Sequence, residues 1–169
     1  MLANIDILVL LKLCVKKSQP WGQSQLAAEL HISQSSVNTS LKHAELVKLY
    51  IPTKRAVNTV ALEEALVHGA KYFLAPIRGG ITRGFPTAWA AAPFSDQIST
   101  SDELPPVWPD ANGTVRGVAF EPIYKSAPHA AMDDPALYEL LAIVDVLRDG
   151  RARESTLAIK ELQKRLKGL

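Results

Sequence analysis

The sequence predicts a mainly α-helical fold in which two helical flanks enclose a proline-rich, partly β middle segment. Apolar residues recur at helical spacing in both flanks, whereas most of the 11 prolines lie between residues 76 and 128. Proline fixes φ and removes a backbone donor, so the middle segment disfavours long helices and favours strands and turns. We therefore expect two domains, residues 1–75 and residues 76–169.

The composition is that of an ordinary globular chain, and it excludes several function classes. With 169 residues, 47% of them hydrophobic, the chain can bury one sizeable core or two small ones. Its net charge of +2 is too small to indicate by itself that the chain binds nucleic acid or an acidic membrane. No apolar run approaches the roughly 20 residues of a membrane span, and the amino terminus lacks the basic region of a secretory signal. We expect a cytoplasmic protein without membrane contact.

Four helices are predicted in the first 75 residues. The first helix carries apolar residues on more than one side, which indicates that more than one side of it is buried. The second spans Gln23 to Leu30, and the third runs from about Gln34 to Lys48 with Ser33 as its N-cap. Asn58 is placed to cap the fourth. The apolar residues of the first helix are Ile5, Leu8, Val9, Leu11, Leu13 and Val15.

The middle segment contains one strong turn signal. Asp110 to Gly113 includes Asn-Gly, two residues that tolerate positive φ, and it lies between Val107-Trp108 and the run Val115 to Phe120. This pattern predicts a β-hairpin. Residues 79–93 predict an irregular stretch that is either a loop for a partner or ligand, or a packed connection. We favour the packed connection, whose anchors would be Phe85, Trp89 and Phe94.

A helical pair is predicted at the carboxyl end. Asp134 as cap and Pro135 in the first turn begin a helix that runs through Leu147 and ends at Gly150. A last helix spans about Ala152 to Leu166. Because a short turn joins their apolar faces, the two helices should pack antiparallel.

Three arginines cluster around the turn of this pair. Arg151 and Arg153 would lie at a helix beginning, where positive charge opposes the helix dipole, and Arg148 at a helix end. The cluster indicates either a contact for a phosphate or acidic partner, or a solvated surface.

The run from Leu26 to Leu49 predicts a helix-turn-helix. Ala27 is small where two helices would cross, and apolar residues on both sides of it fix the crossing. The short polar side chains after Ser33 fall away from the apolar Val37 and Leu41, so in a major groove they would meet base edges and phosphates. These polar residues are Gln34, Ser35, Ser36, Asn38, Thr39 and Lys42.

This run resembles the DNA-binding element of MarR-like winged-helix bacterial transcriptional regulators, in which a stretch similar to Ile32–Val37 begins the recognition helix. The resemblance covers about residues 4–56. It implies base or phosphate contacts for Gln34, Ser35, Ser36, Asn38 and Thr39, and a backbone contact for Lys42. Lys54 and Arg55 lie where a short wing would touch the DNA backbone. Residues 12–55 hold seven basic side chains, Lys12 and Lys16 among them, against two acidic ones, which suits phosphate binding.

The function we expect is sequence-specific binding of double-stranded DNA by a transcriptional regulator, with residues 34–48 in the major groove. One recognition helix contacts few base pairs, so we expect a homodimer that reads two half-sites about 34 Å apart. The first helix and the final helical pair are the candidate dimer surfaces. The pair is favoured because it carries more apolar surface than one partner helix can cover, at Leu140, Leu141, Val144 and Leu147.

The alternative is a protein-interaction module, an antitoxin-like or adaptor partner. The middle segment resembles regulator-like proteins that accompany nucleotidyltransferase-fold proteins, which would make such a protein the partner. Catalytic residues, a metal site and cofactors are not expected. The four histidines lack metal-ligand spacing, and the serines near His43 lack an orienting group. The single Cys14 excludes an internal disulfide and zinc sites with two thiolates.

Overall fold

The computed structural model describes residues 1–98 and 102–167, and within these ranges the chain is mainly helical with two small sheets, as predicted. No helix in the described ranges is both long and apolar enough to cross a membrane. The helices are α1 (Asn4–Lys16), α2 (Gln23–Leu30), α3 (Gln34–Leu46), α4 (Thr59–Phe73), α5 (Ala127–Met132), α6 (Pro135–Asp149) and α7 (Ala152–Leu166). The strands are β1 (Tyr50–Ile51), β2 (Ala56–Val57), β3 (Arg78–Pro86), β4 (Pro106–Pro109) and β5 (Val115–Phe120).

The predicted caps hold the beginnings of α3 and α4. The Ser33 hydroxyl accepts a hydrogen bond from the Ser36 backbone amide at 3.1 Å, and the Asn58 side chain accepts one from the Ala61 amide at 3.3 Å. These contacts satisfy amides that the first turn of a helix leaves free. Both helix starts therefore follow from local sequence.

The turns after α2 and α3 use left-handed backbone at residues other than glycine. His31 has φ 53° and Lys48 has φ 63°. This conformation ends a helix sharply, and it places the start of β1 four residues after α3. The third helix thus stops at Leu46, slightly before the predicted Lys48.

Helix α6 lies at the centre of the molecule. Its residues are buried almost without interruption from Leu140 to Arg148, because α1, α4, α5 and α7 all pack against it. The Asp134 cap, the Pro135 start and the Gly150 end are as predicted, and α7 follows α6 after a short turn and packs on it.

Most of the apolar side chains on the two surfaces predicted for dimerisation are buried within one subunit. Leu140, Leu141, Val144 and Leu147 are at most 4% exposed. Of the apolar residues predicted on the first helix, Ile5 and Val15 are half-buried and the others are buried. The reason is that several elements of the same subunit surround each of these helices, where the prediction counted a single partner for α6. The four apolar side chains that favoured the helical pair as a dimer surface thus belong to the core of one subunit, and the homodimer itself stays a prediction.

The hydrophobic core includes side chains from both halves of the chain. Leu8, Leu26 and Leu62 from the amino-terminal half belong to the same cluster of buried residues as Phe94 and Leu137. The division into domains at residue 75 stays a prediction.

The predicted β-hairpin does not form. The turn at Asp110 to Gly113 is present, since the Asn112 amide donates to the Asp110 carboxylate at 2.8 Å. However, β4 and β5 each pair antiparallel with β3, and with each other in parallel. The turn therefore carries the chain from one edge of β3 to the other. The antiparallel hydrogen bonds that β4 and β5 would exchange in a hairpin are made with β3 instead, a strand that precedes both of them in the sequence.

The stretch at residues 79–93 contains a strand where the sequence predicted an irregular connection. Residues 78–86 form β3, and glycines allow its neighbours to approach closely. A Cβ atom on Gly84 would overlap the Trp108 carbonyl, and one on Gly117 would overlap the Pro105 carbonyl. Of the predicted anchors, Phe94 is fully buried, while Phe85 and Trp89 are half-buried.

Candidate nucleic-acid interface

Helix α3 has one buried face and one open face. Val37, Ala44 and Leu41 are at most 7% exposed and hold the helix against α1 and α2. The predicted contact residues lie on the other side. Gln34, Ser35, Thr39 and Lys42 are exposed, and Ser36 and Asn38 are half-buried.

The amino-terminal turn of α3 is a cluster of hydroxyl groups. The Ser33 hydroxyl lies 2.9 Å from that of Ser35 and 2.8 Å from that of Ser36. A hydroxyl can donate one hydrogen bond and accept two, so these contacts leave capacity for a further partner. The positive end of the helix dipole lies at the same turn and favours an anion there.

A short hairpin follows α3. Strands β1 and β2 pair antiparallel, with Tyr50 opposite Val57, and a single 3-10 turn joins them. Lys54 and Arg55 are both exposed at this turn. The hairpin packs against α3 through β1, while its turn lies against the loop between α1 and α2, where Arg55 contacts Trp21.

Arg55 is fixed against the loop between α1 and α2. Its guanidinium carbon lies 4.5 Å from the centroid of the Trp21 ring, and its Nη2 donates to the Trp21 carbonyl at 2.9 Å. Stacking and a hydrogen bond together restrict a side chain that would otherwise be highly mobile. Arg55 as a whole remains exposed.

The same loop and hairpin border a basic cavity. The cavity has a volume of about 470 Å³, and Lys17, Lys54 and Arg55 line it together with Trp21 and with Thr59 at the start of α4. No acidic residue is among the residues that line it. Positive charge is therefore concentrated where the hairpin meets the loop between α1 and α2.

Two of the lysines counted as part of the basic segment are not accessible. Lys12 and Lys16 are buried in α1 and pair with Glu29 of α2 at 3.1 and 2.9 Å. Lys12 also contacts Asp134, the cap of α6, at 2.6 Å. Burial alone would lower the pKa of Lys12, but the hydrogen bonds to Asp134 and Glu29 outweigh it and the pKa is raised. The prediction that these lysines serve phosphate binding was wrong, because their charge is neutralised inside the fold.

The carboxyl-terminal half contacts α2 and the turn between α2 and α3. His31 lies 3.4 Å from Asp133, its ring is 6.1 Å from that of His129, and α2 packs against α5. The main packing partners of α3 itself are α1, α2 and β1. Gln34, Ser35, Thr39 and Lys42 remain exposed, while Ile5 and Asp6 of α1 border the side of α3 that carries Ser36.

A contact between Asp6 and His43 lies at the edge of this surface. Asp6 is 1% exposed and accepts hydrogen bonds from His43 Nδ1 at 3.0 Å and from the Ala3 amide at 2.6 Å. It orients the imidazole, but within the described residues no hydroxyl is hydrogen-bonded to the other ring nitrogen. The arrangement therefore lacks an activated nucleophile. Sequence reasoning missed Asp6 because it lies 37 residues from His43.

Arg148 has a structural role. It is 3% exposed and donates to the carbonyls of Leu74 and Glu121 and to the carboxylate of Asp145. Burial raises the pKa of Asp145, against the opposing effect of Arg148 and two further hydrogen bonds. Both alternatives considered for the arginine cluster, a contact for a phosphate or acidic partner and a solvated surface, are wrong for Arg148, because it is buried. Arg151, for its part, pairs with Glu103 at 3.0 Å.

The predicted contact residues thus lie on two neighbouring elements, α3 and the β1–β2 turn. Six of the eight are exposed, and the two half-buried ones are on α3. We compared the chain with protein-family models, with curated proteins and with solved structures. None of them matches it.

Proposed function

We propose that the chain is a sequence-specific, double-stranded-DNA-binding transcriptional regulator with a MarR-like winged helix-turn-helix. In this proposal α2 and α3 form the helix-turn-helix, α3 is the recognition helix, and the β1–β2 hairpin is a short wing. The observation that carries it is the open polar face of α3, whose opposite face is fixed against α1 and α2. The proposal places the protein in the cytoplasm, with the DNA.

The side chains on α3 have the chemistry to read base edges. An amide such as that of Gln34 or Asn38 can make paired hydrogen bonds to adenine, and the hydroxyls of Ser35, Ser36 and Thr39 suit either base or phosphate contacts. Short side chains also allow the helix to approach the base pairs closely. These residues would supply sequence preference.

The cations flank this reading surface. Lys42 lies two turns along α3 from Gln34, and Lys54 and Arg55 extend from the wing. Such side chains bind phosphates, which supply most of the affinity and set the position of the protein on the duplex. The fixed guanidinium of Arg55 would lose little conformational entropy on binding.

Affinity selection from a random duplex pool tests this proposal. The full chain should enrich related sequences arranged as two half-sites, and its affinity for them should fall steeply with salt because phosphate contacts release counterions. Lys160→Ala, a change of an exposed cation on α7 far along the chain from α3, serves as the matched control and should leave binding unchanged. A chain that enriches no sequence and shows no salt-dependent duplex binding would contradict the proposal and favour the protein-interaction module.

A further inference from the structure

The contact between Asp6 and His43 joins the first turn of α1 to the last turn of α3. His43 follows Thr39 by four residues and Ser36 by seven, so the three side chains lie along one side of the helix. A cavity of about 190 Å³ between α1 and α3 is lined by these three residues among others. The imidazole therefore borders the polar side chains that are predicted to contact DNA.

We propose that His43 is a further DNA-contacting residue, whose Nε2 donates a hydrogen bond to a backbone phosphate, and that Asp6 is the residue that positions it. This inference rests on the proposed function and adds to it a contact that the sequence pattern did not indicate. Its consequence is that the duplex and a proton at His43 favour each other's binding.

Asp6 fixes the orientation of the imidazole ring. The Asp6 carboxylate is 1% exposed and accepts from His43 Nδ1 at 3.0 Å, and the Ala3 amide holds the same carboxylate at 2.6 Å. The His43 side chain is 33% exposed, and among the described residues its Nε2 has no hydrogen-bond partner. Because Nδ1 is engaged inside the fold, Nε2 is the ring nitrogen that can bind a partner outside it.

The hydrogen bond to Asp6 determines what Nε2 can bind. When Nδ1 donates to the carboxylate, the neutral ring has only a lone pair at Nε2 and cannot donate to a phosphate oxygen. The protonated ring donates from both nitrogens and can bridge Asp6 and the phosphate with two charge-assisted hydrogen bonds. The contact therefore takes up a proton from solvent whenever the unbound ring is neutral.

Other charged groups on the elements packed against α3 do not compete for the ring. On α2, Glu29 pairs with two lysines of α1. On β1, Tyr50 is uncharged near neutral pH, because burial raises its pKa above the usual value of 10.0. Glu45 follows His43 by two residues on α3 and so lies on a different side of that helix. Among the described residues, Asp6 is the ion-pair partner of His43.

The position of His43 along α3 favours the DNA backbone over the bases. A recognition helix reads base edges from its amino-terminal turns, whereas His43 lies in the last turn of α3. A contact to phosphate would position the helix on the duplex without adding sequence preference. Contact with a base is the alternative that the experiment must distinguish.

Fluorescence anisotropy with a selected and a scrambled duplex tests the contact in the full chain. His43→Gln should weaken binding of both duplexes about tenfold and reduce the salt slope by about one ion. His68→Gln, at an exposed histidine on α4, is the matched control and should bind as the native chain does. A loss confined to the selected duplex would show that His43 reads a base, and no loss would show that it makes no contact. Either result overturns the inference and leaves the proposed function intact, whereas a native chain that binds no duplex contradicts both.

A double-mutant cycle separates positioning by Asp6 from a purely structural role. Asp6→Asn keeps an acceptor for the Ala3 amide and removes the charge. It should weaken duplex binding at least about threefold in the native chain, and less than about twofold in a chain that carries His43→Gln. Equal losses in the two chains would show that Asp6 does not act through His43.

Proton uptake gives an independent readout of the protonated ring. Calorimetric titrations with the duplex, in buffers of different ionisation enthalpy between about pH 6 and 8, should show uptake of up to one proton per bound chain. His43→Gln should abolish this uptake, and His68→Gln should retain it. Uptake that is absent throughout this range, or unchanged in His43→Gln, would overturn the inference.

Discussion

Single side chains on α3 should divide into those that read bases and those that bind the DNA backbone. Replacing Gln34 by Ala should cost about 1–3 kcal/mol on the selected duplex and relax its sequence preference, because amide contacts to a base edge are lost. Replacing Lys42 by Ala should weaken selected and scrambled duplexes alike and reduce the salt slope by about one ion. Fluorescence anisotropy titrations with both duplexes at several salt concentrations measure both effects.

The comparison of the two duplexes decides between these roles. If Gln34→Ala lost the same free energy on the selected and the scrambled duplex, Gln34 would not read a base. If Lys42→Ala changed sequence preference and left the salt slope intact, Lys42 would not bind a phosphate. Lys160→Ala is the control for loss of one positive charge.

Glu29 should make the stability of the fold depend on pH in the acidic range. Burial alone would raise its pKa, but hydrogen bonds from Lys16 and Lys12 outweigh this and lower it from the usual 4.5. A lowered pKa in the folded state stabilises the fold above pH 4.5, and this stabilisation is lost as the pH falls through the folded-state pKa. Glu29→Gln should therefore lower the free energy of unfolding by about 1–3 kcal/mol at neutral pH, and by less in acid.

Urea unfolding at a series of pH values measures this dependence. Glu45→Gln on α3 is the control, because the Glu45 side chain is exposed. The free energies of unfolding of the native protein and of Glu29→Gln should converge as the pH falls. If the difference in free energy of unfolding between the two proteins stayed constant over the whole acidic range, the contribution of the Lys12 and Lys16 contacts would not depend on the charge of Glu29.

Among the elements, the helices were predictable because their ends are encoded locally. Ser33, Asn58 and the Asp134-Pro135 pair are cap signals that act within one helical turn, and the structure has a helix start at each. The open polar side of α3 followed from the same kind of information, the spacing of Val37 and Leu41. Helix α5 was missed because its alanines favour a helix but do not produce the alternation of polar and apolar sides by which a helix is predicted from sequence.

The strand pairing could not be predicted because it depends on residues far apart in the sequence. The turn at Asn112-Gly113 is a local signal for a hairpin, but Gly84 of β3 pairs with both Pro109 and Val115. No alternation of polar and apolar residues marks β3, so nothing indicated a third strand. The buried roles of Arg148 and Asp6 were missed for the same reason, since the Leu74 and Glu121 carbonyls that Arg148 contacts and the His43 ring that Asp6 contacts lie far along the chain.

The close approach of β4 and β5 predicts a strong difference between two glycines. A Cβ atom on Gly117 would overlap the Pro105 carbonyl, whereas Gly80 has no neighbour within 4 Å. Gly117→Ala should therefore lower the free energy of unfolding by about 1–3 kcal/mol, because the strands must move apart. Gly80→Ala should change it by less than about 0.5 kcal/mol. Thermal unfolding of the two variants makes the comparison, and equal effects would contradict the parallel pairing.

At the scale of the whole molecule, α6 ties the two halves of the chain together. It packs against α1 and α4 from the amino-terminal half and against α5 and α7 from the carboxyl-terminal half. The Lys12–Asp134 ion pair adds a polar link between α1 and the cap of α6. The α2–α3 unit is held in place in this way by the carboxyl-terminal half, and the polar side chains Gln34, Ser35, Thr39 and Lys42 of α3 remain exposed.

This shared core should make the chain unfold in one cooperative step. Leu30→Ala in α2 and Leu162→Ala in α7 each remove a fully buried side chain and should each cost about 2–5 kcal/mol. If one core serves both halves, both variants should shift the same urea transition, and far-UV circular dichroism should coincide with tryptophan fluorescence. If residues 1–75 and 76–169 are instead separate folding units, each variant should move only one of two transitions. The number of transitions therefore decides whether the boundary predicted at residue 75 is also a boundary of stability.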